Sequence, residues 1–137
     1  MTQHEHPNVT LAREGFDAFQ RGDMGWWKEH LSGDIVWHGG GNSRWAGAYE
    51  GLDNVLDLFA RQMQSMGSPP EVETHDVLGN DEHVVSLGTA KATGPDGSSA
   101  EWKWVQVFNI KDGKVAEVWG MAENDAAVDP FLDNLPG

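Results

Sequence analysis

From Val9 onward the apolar positions Val9, Ala12, Phe16 and Phe19 recur at helical spacing, which gathers them on one face of an α-helix that Gly22 ends. Asn8 is the expected cap of this helix, and the polar residues 1–7 before it are expected to form a disordered leader ending at Pro7. Asp23 then opens a shorter helix in which Trp27 and Leu31 face the core, Trp26 and His30 occupy the neighbouring stripe, and Ser32 and Gly33 end the run. The β-branched and aromatic segment from Asp34 to His38, bounded by Gly33 and by Gly39, Gly40 and Gly41, reads as a strand. After a loop containing Trp45, Ala46, Gly47 and Tyr49, the residues Leu52, Leu56, Phe59, Met63 and Met66 return to helical spacing. Asp53 lies near the start of that third helix, and Gly67, Ser68, Pro69 and Pro70 break it.

Beyond this break the pattern becomes extended, with strands expected at about 71–78, 83–93, 100–110 and 114–121. The separators Gly79-Asn80-Asp81, Gly94-Pro95-Asp96-Gly97 and Asp112-Gly113 are short turns, so these strands should form an antiparallel meander. Three helices and a strongly bent mixed or antiparallel sheet have one economical packing, in which the helices cover the concave face. The expected fold is therefore α+β, a cone whose curved sheet and three helices enclose an apolar pocket, with residues 8–137 forming one domain. The opposite sheet face should be apolar in places, and a second copy of the chain would bury it. The tail from Ala122 is polar except at Val128, Phe131, Leu132 and Leu135, and is expected to lie across the body.

Composition narrows the partners. The formal charge of −13 repels phosphate backbones and anionic lipid headgroups, which argues against nucleic acid and membranes. Cysteine is absent, which removes disulfides, thiolate metal sites and Cys nucleophiles together. No basic-then-apolar leader and no apolar run of the ~20 residues that span a bilayer is present, so a cytoplasmic location is expected. His4 and His6 form a His-x-His in a mobile polar leader with no third ligand nearby, and no metal site and no cofactor is expected.

Four segments resemble the SnoaL-like branch of the nuclear transport factor 2-like superfamily, which includes ketosteroid isomerase, scytalone dehydratase and limonene epoxide hydrolase. They are FQRGDMGWWKEHLSGDIVWH, WAGAYEGLDNVLDLF, VETHDVLGNDEHVVSL and VQVFNIKDGKVAEVW. The resemblance covers nearly the whole chain and implies a cone open to an apolar small molecule, commonly in a dimer. It does not imply one reaction, because members isomerise, dehydrate, hydrolyse, cyclise or only bind.

In ketosteroid isomerase the general base lies on the first strand after the helical hairpin, and His38 best matches that position, with Val36 sharing its face. Histidine can take and return a proton near neutrality, and the alternative is a strand-end histidine bonded to backbone or water. SnoaL-like cyclases place a Gln and a His on the penultimate strand and an acid on the last. Alignment on Asp112-Gly113-Lys114 puts Trp104, Gln106 and Gly120 there, so the acid is missing. The Asp, Arg, Asp set of limonene epoxide hydrolase aligns with Gly88, Ala90 and Gly120, which argues against epoxide hydrolysis by that mechanism. The remaining donors to a substrate oxygen are the Trp104 indole, the Gln106 amide and Tyr49, the only tyrosine.

The expected catalytic set is thus His38, Gln106 and Tyr49. The expected lining is Val36, Trp104, Phe59, Met63, His75, Val118, Gly120 and Met121, with the face of His75 left open. His75 and Asp76 adjoin in a strand and should point to opposite faces, so they form no dyad; Glu117 and Trp119 should lie on the outer, interfacial side. Two functions follow from these residues. One is a cofactor-free isomerase, lyase or cyclase acting by proton transfer on a hydrophobic cyclic carbonyl compound. The other is a non-catalytic small-molecule-binding or dimerisation protein of the same fold. No serine has a nucleophile-elbow context, and Gly39–Gly41 lacks the Lys-Ser/Thr of a phosphate loop.

Overall fold

A computed structural model describes residues 5–67, 70–123 and 125–135. The helix α1 (Pro7–Arg21) begins one residue earlier than its expected cap, because Pro7 supplies a helical φ at a position where no N–H is needed. His6, not Asn8, is the cap: its Nδ1 accepts from the Asn8 amide at 3.1 Å. The Asn8 side chain instead donates to the carbonyls of Asn80 and Asp81, tying α1 to the turn before β4. These contacts hold the end of the expected leader, while His4 lies outside the described residues.

Helix α2 (Met24–His30) is capped by the Asp23 carboxylate and ends before Ser32, since Leu31 is already extended. The strand β1 (Leu31–Gly39) is therefore longer than expected and buries Leu31 and Ile35. The expected loop contains a short strand, β2 (Gly47–Glu50). Helix α3 (Leu52–Met66) buries Val55, Leu58 and Phe59, and ends at Gly67, whose φ of 75° favours glycine. Strands β3 (Glu71–Gly79), β4 (His83–Thr93), β5 (Ser99–Lys111) and β6 (Lys114–Ala122) form the expected meander. Asp112, at φ 54°, turns the chain between the last two with Gly113.

The six strands are ordered β2-β1-β6-β5-β4-β3 in one curved, unclosed sheet. It is mixed: β1 runs antiparallel to β2 but parallel to β6, while the other pairs are antiparallel. The tail is not merely draped, for it forms a fourth helix, α4 (Asp125–Asp133), with Pro130 inside it. Phe131 and Leu135 pack with Met66, Ala92, Trp102 and Leu132 in a satellite cluster at one end of the cone. Asp129 and Asp133 accept from the backbone amides of Asn42 and Arg44, at 3.0 and 2.7 Å, which fastens this helix to the loop after β1.

The main core lies between the helices and the inner sheet face. Val9, Ala12, Ala18, Trp27, Val55 and Phe59 meet Ile35, Val77, Val84, Phe108, Ile110, Val115 and Val118 there. A fully buried apolar side chain of this size contributes about 1.5–3 kcal/mol, so this layer dominates the stability of the fold. Among the described residues no helix is long and apolar enough to cross a membrane.

Candidate functional site

Strand register decides which side chains see the inside of the cone. Cross-strand partners run Trp37, Val118, Phe108, Val84 in one row and Gly39, Gly120, Gln106, Ser86 in the next. The row beyond holds Gly88, Trp104 and Ala122. Val84, Phe108 and Val118 are at most 1% exposed, so these rows form the inner face. The intervening rows, with Val36, Glu117, His38, Trp119, Val107 and Val85, face outward.

His38 is consequently on the outer face, opposite to the expected pocket position. Trp37 takes the inward place, packing edge-on to Phe59 at 4.9 Å and to Trp27 at 6.1 Å. The His38 Nε2 lies 2.7 Å from Glu117 Oε2, and its ring stacks on Trp119 with an interplanar angle of 8°. Val36 also turns outward, opposite Glu117, and so does Met121, which is 50% exposed. His75 sits at a register shift in β3 and is exposed, 3.6 Å from Glu73. That bulge cancels the expected alternation: Thr74 pairs with Gly88 of the inner rows and Asp76 with Leu87 of the outer ones, and His75 and Asp76 are both exposed. Both line a groove of about 570 Å³ that takes in Leu87, Val105 and Met121 together with Gly88, Trp104 and Ala122. A second groove, about 850 Å³, takes in Gln20 of α1, Val72, Ala90 and Trp102 together with charged residues such as Glu71, Lys91, Glu101 and Lys103.

Inside, Trp104, Gln106, Val118 and Gly120 stand on the inner rows as expected. Phe59 is buried among Trp27, Trp37 and Phe19, while Met63 is half-buried on α3. Tyr49 pairs with Trp37, and its hydroxyl donates to the Trp45 carbonyl at 2.8 Å, so that proton is committed to the fold. The Gln106 amide is half-buried and makes no hydrogen bond with the described residues. A Cβ built on Gly120 would sit at ordinary contact distance, 3.9 Å, from the Gln106 side chain and the His38 carbonyl, so a methyl would fit there.

Among the described residues, three buried side-chain polar atoms have no hydrogen-bond partner: Trp104 Nε1, Ser86 Oγ and Trp27 Nε1. Their residues are only 9%, 1% and 2% exposed. Leaving such a group unpaired costs about 1–3 kcal/mol, so these atoms mark where the interior wants a partner. Trp104 rests on Phe16, with ring centroids 5.4 Å apart, and its benzo edge lies against Gly88. A Cβ at Gly88 would come within 2.5 Å of Trp104 Cζ2 and 2.1 Å of the Glu73 carbonyl, so the indole needs glycine there.

Sequence reasoning gave Phe16 and Trp27 a core role only and assigned neither Ser86 nor Trp37 to the interior of the cone. The signal was present in β4, where Val84, Ser86, Gly88, Ala90 and Ala92 alternate with outward residues and leave one hydroxyl on an otherwise apolar inner face. The described inward strand positions carry no carboxylate, histidine or lysine. Carboxyls held below the ordinary range lie elsewhere, on the surface: Asp34 and Asp96 through the Ser32 and Ser98 hydroxyls, and Glu5 through Arg13 and then Thr10. Among the described residues no cluster of three or more His, Cys, Asp or Glu is arranged for a metal ion.

The architecture is that of an α+β cone with an aromatic interior, and comparison with known proteins gives its family. Residues 12–118 match the SnoaL-like domain, and the chain belongs to that family. The structure of Bal32a, from a soil-derived mobile gene cassette, is similar at 27% identity and a TM-score of 0.86, covering 92% of this chain and 96% of that one. A protein from Jannaschia sp. CCS1, classed as a SnoaL-like polyketide cyclase, is similar at 20% identity and a TM-score of 0.79, over 98% of this chain and 100% of that one. TerC, co-crystallised with polyporic acid, is similar at 18% identity and a TM-score of 0.78, over 88% and 95%. A search of curated proteins finds no match.

Proposed function

We propose that this protein binds a hydrophobic, cyclic carbonyl compound inside the cone, and that holding the compound rather than transferring its protons is its activity. The observation that carries this reading is the Trp104 indole N–H, buried without a partner in an aromatic surround. An indole only donates, so its missing partner is an acceptor such as a carbonyl oxygen. The surround is aromatic: Phe16 lies 5.4 Å from the Trp104 ring centroid and 5.8 Å from that of Phe108, and such rings suit a cyclic body. The co-crystal of TerC with polyporic acid supports the idea that a cone of this fold admits a small organic molecule.

The competing isomerase, lyase or cyclase reading needs a proton carrier beside the ligand. Of its three residues only Gln106 and Tyr49 stand on the inner side, and neither is a general base near neutrality. The test is a tryptophan-fluorescence titration against steroids, terpenoids and aromatic polyketides. A saturable ligand is expected, with about tenfold weaker binding in Trp104→Phe, which keeps a ring and removes the N–H. After prolonged incubation the ligand should be recovered unchanged, and any converted product seen by mass spectrometry would overturn the binding-only reading.

A further inference from the structure

The helix α4 packs apart from the main core. Phe131 and Leu135 cluster with Met66, Ala92, Ala100, Trp102 and Leu132, and none of these belongs to the layer between the helices and the inner sheet face. Ala92 is the last inner position of β4 and pairs with Ala100 of β5, so α4 covers the end of that face. Leu135 reaches the turn after β4, where a Cβ on Gly94 would come within 3.3 Å of its Cδ2. On its other side the helix is fastened to the loop between β1 and β2. Asp129 and Asp133 accept from the Asn42 and Arg44 amides, the Leu132 carbonyl accepts from Trp45 Nε1 at 3.3 Å, and the Leu135 carbonyl accepts from the Arg44 guanidinium. The helix therefore bridges that loop, the β4–β5 hairpin and the end of α3 at Met66.

These contacts, more than the helix itself, keep α4 folded. It has nine residues, fewer than the ~12–15 at which an isolated helix becomes stable in water. Pro130 inside it has no N–H for the helical ladder. Its bonds to the loop join exposed or half-buried groups, so water can take over each of them when the helix lifts. Undocking uncovers Val128, Phe131 and Leu135 but leaves the main core whole, whereas global unfolding loses that core as well.

We propose that α4 is a lid on this end of the cone, which opens while the rest of the fold stays intact and uncovers a cleft of Met66, Ala92, Ala100 and Trp102 that takes an uncharged hydrophobic ring compound. Those four residues carry no ionisable group, and the Phe131 ring fills the cleft when the lid is shut. The opening stands on the packing alone, while its occupant rests on the reading that the cone binds a ligand.

The chain has no cysteine, so Ala92→Cys, at a site 1% exposed, puts a single thiol beneath α4, and Ala18→Cys, at a site 0% exposed, puts one in the main core. With DTNB under native conditions the first should react at least ~100-fold faster than the second. Adding Asp129→Ala and Asp133→Ala should raise the Ala92→Cys rate about tenfold further and leave the main unfolding transition in place. Alanine is the better helix former, so that rise cannot come from a weaker helix. Hydrogen exchange on the unaltered chain gives the same comparison, with α4 amides expected to exchange at least ~10-fold faster than those of β5. Equal rates at the two thiols, or equal protection of α4 and β5, overturn the lid. The occupant is tested with N-phenylnaphthylamine, an uncharged ring compound that brightens in apolar sites. Because binding must first open the lid, the Asp129→Ala, Asp133→Ala protein should bind it more tightly by the factor that its thiol reactivity gains. Unchanged affinity, or no binding to either protein, refutes the cleft as a site; the wider ligand reading falls only when the steroid, terpenoid and polyketide titrations also find no ligand.

Discussion

The two faces of the same sheet treat their polar groups in opposite ways. On the outer face the residue best equipped for acid–base work, His38, is met by Glu117 at 2.7 Å and by the Trp119 ring. On the inner face Trp104 Nε1 and Ser86 Oγ, and beneath it Trp27 Nε1 of α2, have no hydrogen-bond partner among the described residues. A polar group already satisfied needs nothing more, whereas one sealed in an apolar interior carries a continuing cost. Chemical reactivity therefore points to His38, and unmet hydrogen bonding points to the opposite side of the strands. The second signal identifies the face on which a ligand would change the energy most.

Substitutions on the two faces should separate them clearly. Phe108→Ala, at a site 1% exposed and in ring contact with Phe16 and Trp27, should destabilise the protein by about 3–5 kcal/mol in denaturant unfolding. A loss below about 1 kcal/mol would mean the inner layer is not the packed core described. Trp119→Glu on the outer face should cost far less stability. If the outer strip of Val85, Leu87, Val105, Val107 and Trp119 pairs with a second copy of the chain, as the sequence pattern led us to expect, it should shift sedimentation from dimer to monomer. A wild type that sediments as a monomer at every concentration would remove that expectation. The smallest effect is expected at the half-exposed pair itself, where His38→Ala should change stability by no more than about 1 kcal/mol and ligand affinity by less than threefold. A hundredfold loss of turnover on any substrate in His38→Ala would instead restore a proton-transfer role and erase the contrast between the faces.

Much of this architecture was legible in the chain. Helical spacing located α1 and α3 to within a residue or two, and short turns around Gly79, Gly97 and Gly113 made the β3–β6 meander nearly unavoidable. What escaped depended on partners distant in sequence. The strand β2 has only four residues and exists because β1 offers it an edge. The helix α4 owes its place to Met66, Ala92 and Trp102 and to the amides of Asn42 and Arg44. Ile35 and Trp37 share the parity of the core, which could have assigned His38 outward. The expected facing came instead from the position of the general base in ketosteroid isomerase, because Val36 and Trp37 put apolar residues on both faces and local pattern did not oppose it.

By itself, then, the sequence determined the kinds of elements, their order and the membership of a cone-forming family, because local periodicity and turn chemistry act over a few residues. It also determined that the interior would be aromatic and poor in charge. Only the tertiary structure decided which member of each adjacent pair looked inward, since a shift of one residue in the pairing of β1 with β6, or one bulge at His75, reverses the face of a side chain. It alone showed that Glu117 completes His38 while nothing completes Ser86, because a hydrogen bond is a relation between strands and not a property of either residue.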